Sequence, residues 1–394
     1  MRRAPAARGR AALASVGAGC HPARMSRFLA LRPLGCAARR PPAPAPRRRW
    51  RGARLALAAL ALAALVLGAG GRAAVAQRVT KSPAGPAVAP PSAARGAVRA
   101  TGRVRADTLW SPALGTRKQF LVYLPPAYAA EPERRFPVLY YLHGLWGSEI
   151  DWVRQGALDV VADSLAHAGH PQAIVVMPDG DDGWYTTWST LGTAARCEQD
   201  SVRARRESAA TYCVPWARYD DYVARDLVAR VDSAYRTLPA RAHRAVAGLS
   251  MGGYGATTLA LRYPDVFAAA ASHSGVVAPL FAGRSDFAGA PPWAPDVATM
   301  AGRWGSYWTT IPLAFGPDTS GWWARDPGRL AVRLHRERPA LLPALLVDVG
   351  TEDVTLGQNR ALRHVLRAAG VPLEYREWPG AHDWRYWRAH VGES

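Results

Sequence analysis

The segment Gly248-Leu249-Ser250-Met251-Gly252-Gly253 constrains this chain more tightly than any other stretch, because it sets a serine between glycines two positions to either side. The apolar run 244–249 before it reads as a short buried strand. The stretch 253–263 after it, rich in Ala, Leu and Thr and stopped by Pro264, reads as a helix. A strand that turns into a helix within one residue strains that residue's backbone and leaves no room for a Cβ two positions away on either side. The pentapeptide G-x-S-x-G is a weak signal alone, so its meaning depends on the rest of the chain.

That rest alternates. Two extended segments, 104–110 and 119–124, come first, the second with Phe120, Val122 and Leu124 on one face as in a half-buried strand. Apolar runs then recur at 136–142, 173–177, 244–249, 267–271, 344–349 and 373–378, most of them too continuous for either side to face water, which predicts a parallel sheet. Between them, Tyr222, Val223, Leu227, Val228, Val231 and Tyr235 mark one helical face, and 356–369 carries a similar pattern closed by Gly370. Such alternation predicts a three-layer α/β fold with a mostly parallel central sheet and right-handed crossovers. One stretch, 276–340, breaks it with Pro, Gly and the tryptophans 293, 304, 308, 322 and 323. It reads as a cap-like insertion over the C-terminal edge of the sheet, where open α/β sheets bind ligands, or as a segment whose tryptophans form its own small core.

The formal charge of +20 suggests a polyanionic partner, but its distribution removes that reading. Residues 1–76 hold 15 Arg and no acidic residue and 77–106 add 6 Lys or Arg, which leaves 29 basic against 30 acidic residues beyond them. The expected folded part is near neutral and calls for no nucleic acid. In the leader, Arg47-Arg48-Arg49-Trp50-Arg51 precedes an apolar run at 55–67 and then Ala74-Val75-Ala76, the pattern of a secretory signal peptide over 1–76. The run falls short of the roughly 20 apolar residues that a membrane anchor needs, so no stable span is expected after cleavage. Residues 77–102, rich in Pro, Ala and Gly, read as a flexible linker to a domain over 103–394. Past the leader only Cys197 and Cys213 remain, an even pair in an oxidising compartment. A bridge between them would contribute about 3 kcal/mol by closing a short loop; two free thiols are the alternative.

A serine hydroxyl is a weak nucleophile near neutral pH and needs a base to accept its proton and an acid to orient that base. When the serine sits on a strand-to-helix turn, acid and histidine follow it in the chain. Of the histidines beyond Ser250, His382 lies in Trp378-Pro379-Gly380-Ala381-His382-Asp383-Trp384, directly after the last strand, and is the first choice of base. His273, in Ser272-His273-Ser274-Gly275, is the second. For the acid, Val347-Asp348-Val349-Gly350-Thr351-Glu352-Asp353 ends a strand and opens a loop. Asp348 is inside the strand, while Glu352 and Asp353 lie beyond it; Asp353 is preferred.

Donors aimed at a developing oxyanion are also required. One is expected from the backbone N–H of Met251, at the start of the helix, and one from Leu145, in the glycine-freed loop of Leu142-His143-Gly144-Leu145-Trp146-Gly147. His143, before a glycine at a strand end, reads as a loop-orienting residue. The acidic loop Asp179-Gly180-Asp181-Asp182-Gly183 lacks the alternate-residue spacing of an EF-hand, so its acids are expected to be solvated or to bind substrate rather than calcium. With no phosphate loop or dinucleotide fingerprint either, neither metal nor cofactor is expected.

Together these landmarks resemble the α/β-hydrolase family that includes feruloyl and acetylxylan esterases, S-formylglutathione hydrolases, siderophore esterases and the secreted mycolyltransferases. The likeness runs from about Val122 to Trp387 through Val122-Tyr123-Leu124-Pro125-Pro126, Leu142-His143-Gly144, Met177-Pro178-Asp179-Gly180, the serine turn, Ser274-Gly275, Gly350-Thr351-Glu352-Asp353 and Pro379-Gly380-Ala381-His382-Asp383-Trp384. The resemblance implies an α/β-hydrolase fold with Ser250 as nucleophile, His382 as base, Asp353 as acid and Leu145 and Met251 as oxyanion donors. It further implies a secreted esterase acting through an acyl-enzyme on a carbohydrate or small-molecule ester, with Trp146, Trp184, Tyr185 and Trp384 as substrate contacts. Trp184-Tyr185-Thr186-Thr187-Trp188 with the cysteine pair is similar to the mycolyltransferases, which makes acyl transfer to a sugar the alternative. Gly252-Gly253 is instead the common esterase form, and Asp353 stands where the mycolyltransferases carry a glutamate. A catalytically silent glycan-binding fold is the third reading, disfavoured by the complete Ser250, Asp353 and His382 set.

Overall fold

The computed structural model of the chain describes residues 101–189, 214–305, 308 and 310–394. The expected signal peptide, nearly all of the expected linker, and Cys197 and Cys213 lie outside the described residues. Among the described residues no helix is long and apolar enough to cross a membrane.

The central element is an eight-stranded sheet: β1 (Arg103–Ser111), β2 (Thr116–Leu124), β3 (Val138–Leu142), β4 (Ile174–Pro178), β5 (Arg244–Leu249), β6 (Ala269–His273), β7 (Ala344–Gly350) and β8 (Glu374–Trp378), in spatial order β1-β2-β4-β3-β5-β6-β7-β8. Strands β1 and β2 form an antiparallel hairpin, β2 pairs antiparallel with β4, and the remaining pairs are parallel. The apolar runs of the inner strands β3 to β7 become strands because each can bury both faces, whereas the edge strand β8 has no buried residue. Val138, Tyr140 and Leu142 of β3 join one core with the helices Met251–Arg262, Pro327–Glu337 and Leu356–Ala368, while Leu139 and Tyr141 face a second core with Leu158, Tyr386 and Trp387. Each fully buried side chain of this size contributes about 1.5–3 kcal/mol.

Two strand expectations change in detail. Strand β2 is covered on both sides, since Leu121 and Tyr123, opposite Phe120, Val122 and Leu124, are themselves buried. Strand β6 runs two residues later than the apolar pattern suggests, because Ser272 and His273 complete the ladder between Gly248-Leu249 and Val347-Asp348. The amphipathic helical segment that precedes β5 contains a π-helical turn at Tyr222–Leu227, leading into Val228–Ala234.

Between β6 and β7 lie the helices Val297–Trp304, Ile311–Phe315, Thr319–Trp323 and Pro327–Glu337. Asp296, Asp318 and Asp326 cap the first, third and fourth by accepting backbone N–H groups of Thr299, of Ser320 and Gly321, and of Arg329. The last of the four belongs to the regular helical layer, because Leu330, Ala331 and Leu334 enter the main core. Most of the tryptophans in this stretch are packing residues: Trp322 is fully buried against Phe315, and Trp293 meets Trp323 edge-on.

Candidate active site

Ser250 adopts φ 53°, ψ −115°, a conformation disfavoured for any residue with a side chain. The turn is held from both sides: Ser250 N–H donates to His273 O at 3.0 Å, and Ser250 O accepts Val276 N–H at 3.2 Å. A Cβ on Gly248 would stand 2.4 Å from Gly252 O, which explains in atoms why this spacing demands glycine.

The C-terminal ends of three parallel strands converge on this serine. His382, after β8, has Nε2 2.9 Å from Ser250 Oγ and Nδ1 2.9 and 3.0 Å from the two carboxylate oxygens of Asp353, after β7. Asp353 Oδ1 also accepts the N–H of Thr355 at 2.7 Å and its hydroxyl at 2.8 Å. Burial pushes the Asp353 carboxyl up, but the bonds from His382 and Thr355 outweigh burial and hold it below the ordinary aspartate value. The runner-up acid is engaged elsewhere: Glu352 accepts the Thr351 hydroxyl at 2.7 Å and Gly380 N–H at 2.5 Å, tying the loop after β7 to the loop that carries His382. The runner-up base is also committed. His273 Nδ1 lies 2.6 Å from Asp348 Oδ2 and its Nε2 3.0 Å from Ser394 Oγ.

Ser250, His382 and Asp353 open into a cavity of about 1030 Å³. Leu145, Trp146, Trp184 and Trp384 line it, as does Trp304 from the β6–β7 connection, so that segment contributes one wall. Met251, fully buried, begins the helix and presents its backbone beside the serine. Tyr185 departs from expectation. It is buried with its hydroxyl donating to His143 O at 3.3 Å, and its ring packs where a Cβ on Gly255 would lie, so it supports the serine helix rather than facing the cavity.

The acidic loop also departs from expectation. Asp179 and Asp181 are buried and both contact Lys118 Nζ, at 2.7 and 2.8 Å. Burial works against each charge, yet the pairing holds Asp179 far below its ordinary value and Lys118 above its own. Tyr219 OH donates to the other Asp181 oxygen at 2.8 Å. These acids are therefore structural partners of a buried lysine, and among the described residues no cluster of His, Cys, Asp and Glu is arranged to hold a metal ion. The signal for this was present in β2, where Lys118 shares the inward register of Phe120, Val122 and Leu124. His143 links this loop to the cavity. Gly180 N–H donates to its Nε2 at 2.9 Å, so the proton resides on Nδ1, which donates to Gly144 O at 2.8 Å.

A mostly parallel eight-stranded sheet with helices on both faces, and a serine on a strained turn after its central strand β5, is the α/β-hydrolase fold. Residues 111–393 match the family described as Putative esterase, and the chain belongs to that family. An esterase of Mycobacterium tuberculosis is 30% identical over 283 residues, a match covering 70% of this chain and 53% of that protein; the chain thus spans about half the length of the curated relatives it matches. Among solved structures, a ferulic acid esterase is 25% identical with a TM-score of 0.55, covering 74% of this chain and 95% of the other. An S-formylglutathione hydrolase from Agrobacterium tumefaciens shares the fold at 20% identity and a TM-score of 0.54, over 75% of this chain and 93% of its own.

Proposed function

We propose that this protein is a serine carboxylesterase that works through an acyl-enzyme. The observation that carries the reading is the unbroken row from Ser250 Oγ through His382 to the carboxylate of Asp353, facing a cavity large enough for a substrate. In this mechanism His382 Nε2 takes the Ser250 proton as Oγ attacks the ester carbonyl, while Asp353 holds the imidazole by Nδ1 and stabilises the cation that forms. The N–H groups of Leu145 and Met251 receive the oxyanion. His382 then returns the proton to the departing alcohol, and a water activated by the same nitrogen releases the acid.

The indoles of Trp146, Trp184, Trp304 and Trp384 favour a substrate with flat, partly apolar groups, as an ester joining an acyl group to a sugar has. The basic, apolar leader over 1–76 supports export of the enzyme to such substrates. A fluorophosphonate probe should label the wild-type chain at Ser250 and leave Ser250→Ala unlabelled; labelling that survives this substitution refutes the assignment. Turnover of p-nitrophenyl, acetyl and feruloyl esters, with and without a sugar acceptor, separates hydrolysis from transfer, because transfer requires that an acylated sugar accumulate.

A further inference from the structure

The loop after β3, which carries Leu145, has no regular secondary structure between Leu142 and Asp151, yet it must hold a backbone N–H in a fixed direction. Trp146 sits in the left-handed region at φ 63°, an unfavourable conformation for a residue with a large side chain. Something must pull it there. Its N–H donates to Asp182 Oδ1 at 2.7 Å, a short, charge-assisted bond from a loop 36 residues away.

That acidic loop is itself immobilised. Asp179 and Asp181 grip the buried Lys118, Asp181 N–H donates to Asp179 Oδ1 at 3.0 Å, and Asp181, Trp184 and Tyr185 all take positive φ. It meets the β3 loop at two further points, Gly180 N–H on His143 Nε2 and Tyr185 OH on His143 O. Six of the seven non-glycine residues with positive φ among the described residues belong to these two loops or to the turns at Ser250 and Ser274. The strain is concentrated around the serine, and Asp182 is the carboxylate that bridges from one strained loop to the other. By engaging Trp146 N–H it also withdraws that amide from the cavity, leaving Leu145 as the donor the loop offers.

We propose that Asp182 is a positioning residue for ester cleavage: its carboxylate, carried on the loop that Lys118 anchors through Asp179 and Asp181, holds the Leu145–Trp146 segment so that Leu145 N–H points at the oxyanion. The proposal rests on the esterase reading above, and its failure is distinguishable. If wild type does not hydrolyse p-nitrophenyl acetate in a Ser250-dependent way, that reading fails; if it does and the Asp182 variants behave like wild type, only this proposal fails.

The test compares Asp182→Ala and Asp182→Asn on p-nitrophenyl acetate and on its thiono analogue, whose developing negative charge lies on sulfur and is poorly served by the same donors. Asp182→Ala should lower kcat by about 30- to 100-fold, somewhat less than deleting a donor outright, with KM nearly unchanged and with the preference for the oxygen ester reduced. Asp182→Asn keeps an acceptor oxygen without the charge and should lose about 3- to 10-fold, with the preference reduced in proportion. Thermal unfolding of both variants establishes that the fold is kept. If Asp182→Ala does not fold, Asp182→Asn carries the test alone. A folded variant with wild-type kcat, or one whose loss of kcat leaves the oxygen-to-sulfur preference untouched, overturns the proposal.

Discussion

Gly252 lies so close to the end of β3 that a Cβ on it would stand 2.3 Å from the carbonyl oxygen of Leu142 and 2.6 Å from that of His143. Both obstacles are backbone in the central strand and its exit, so neither can rotate away. Gly252→Ala should therefore destabilise the fold by about 1–3 kcal/mol, as overpacking of a close-packed interior does, and push the Ser250 turn off the β3 loop. Urea unfolding read beside turnover checks this; a variant with an unchanged midpoint and full activity would show that the close approach is not needed.

Asp353 supplies a pH prediction. Its folded-state value lies below the ordinary 3.8, so the bonds of its ionised form contribute stability at higher pH and are lost as pH falls through the lowered value. The melting temperature of the wild type should accordingly fall more steeply below the ordinary value than that of Asp353→Asn, which has no carboxyl to protonate. At pH 7 the same variant should lose kcat on the order of 10⁴-fold, because an amide facing Nδ1 favours the wrong imidazole tautomer. Parallel melting curves for the two proteins would contradict the assignment of the depressed carboxyl.

His273 and His382 should separate cleanly. His273 is buried beside Asp348, whose other oxygen accepts Tyr386 OH at 2.9 Å, and removing it leaves one oxygen of a buried carboxylate without its neighbour. His273→Leu is expected to cost about 3–5 kcal/mol of stability while turnover per titrated active site stays within about threefold of wild type. Equilibrium unfolding combined with active-site titration gives both quantities. A stable variant with a loss of turnover comparable to that of a His382 variant would reassign the base.

Trp384 tests how the cavity chooses among esters. Its ring meets Trp152 and Trp387 edge-on, with centroids 5.4 and 5.2 Å away, and it lines the cavity beside His382. Trp384→Ala should raise KM for a feruloyl ester by about 3- to 10-fold, the range expected for losing one aromatic contact, and leave an acetyl ester nearly unaffected. Equal changes for both esters would argue against a direct contact with the acyl ring.

Much of this could be read before any fold was known, because the signals are local. Glycine at positions 248 and 252 follows from the geometry of one turn, the buried strands from continuous apolar runs, and the extended segment that becomes β2 from its alternation. Other readings failed for a common reason. Tyr185, in a Trp-Tyr pair beside the acidic loop, looks like a substrate contact until the serine helix packs over it. The acids at 179 and 181 look solvated until β2 brings Lys118 against them across about 60 residues of chain.

By itself the sequence determined the alternation of strands and helices and the strained serine turn, since each depends on residues a few positions apart, and it offered an acid and a histidine on later strand ends in the order that such a turn leads one to expect. Only the tertiary structure decided that Asp353 rather than Glu352 faces His382, that His273 belongs to Asp348, and that Lys118 anchors the acidic loop beneath Trp146. Those pairings join residues up to 75 positions apart, and which of several chemically equivalent partners meet is set by the order and register in which the strands assemble.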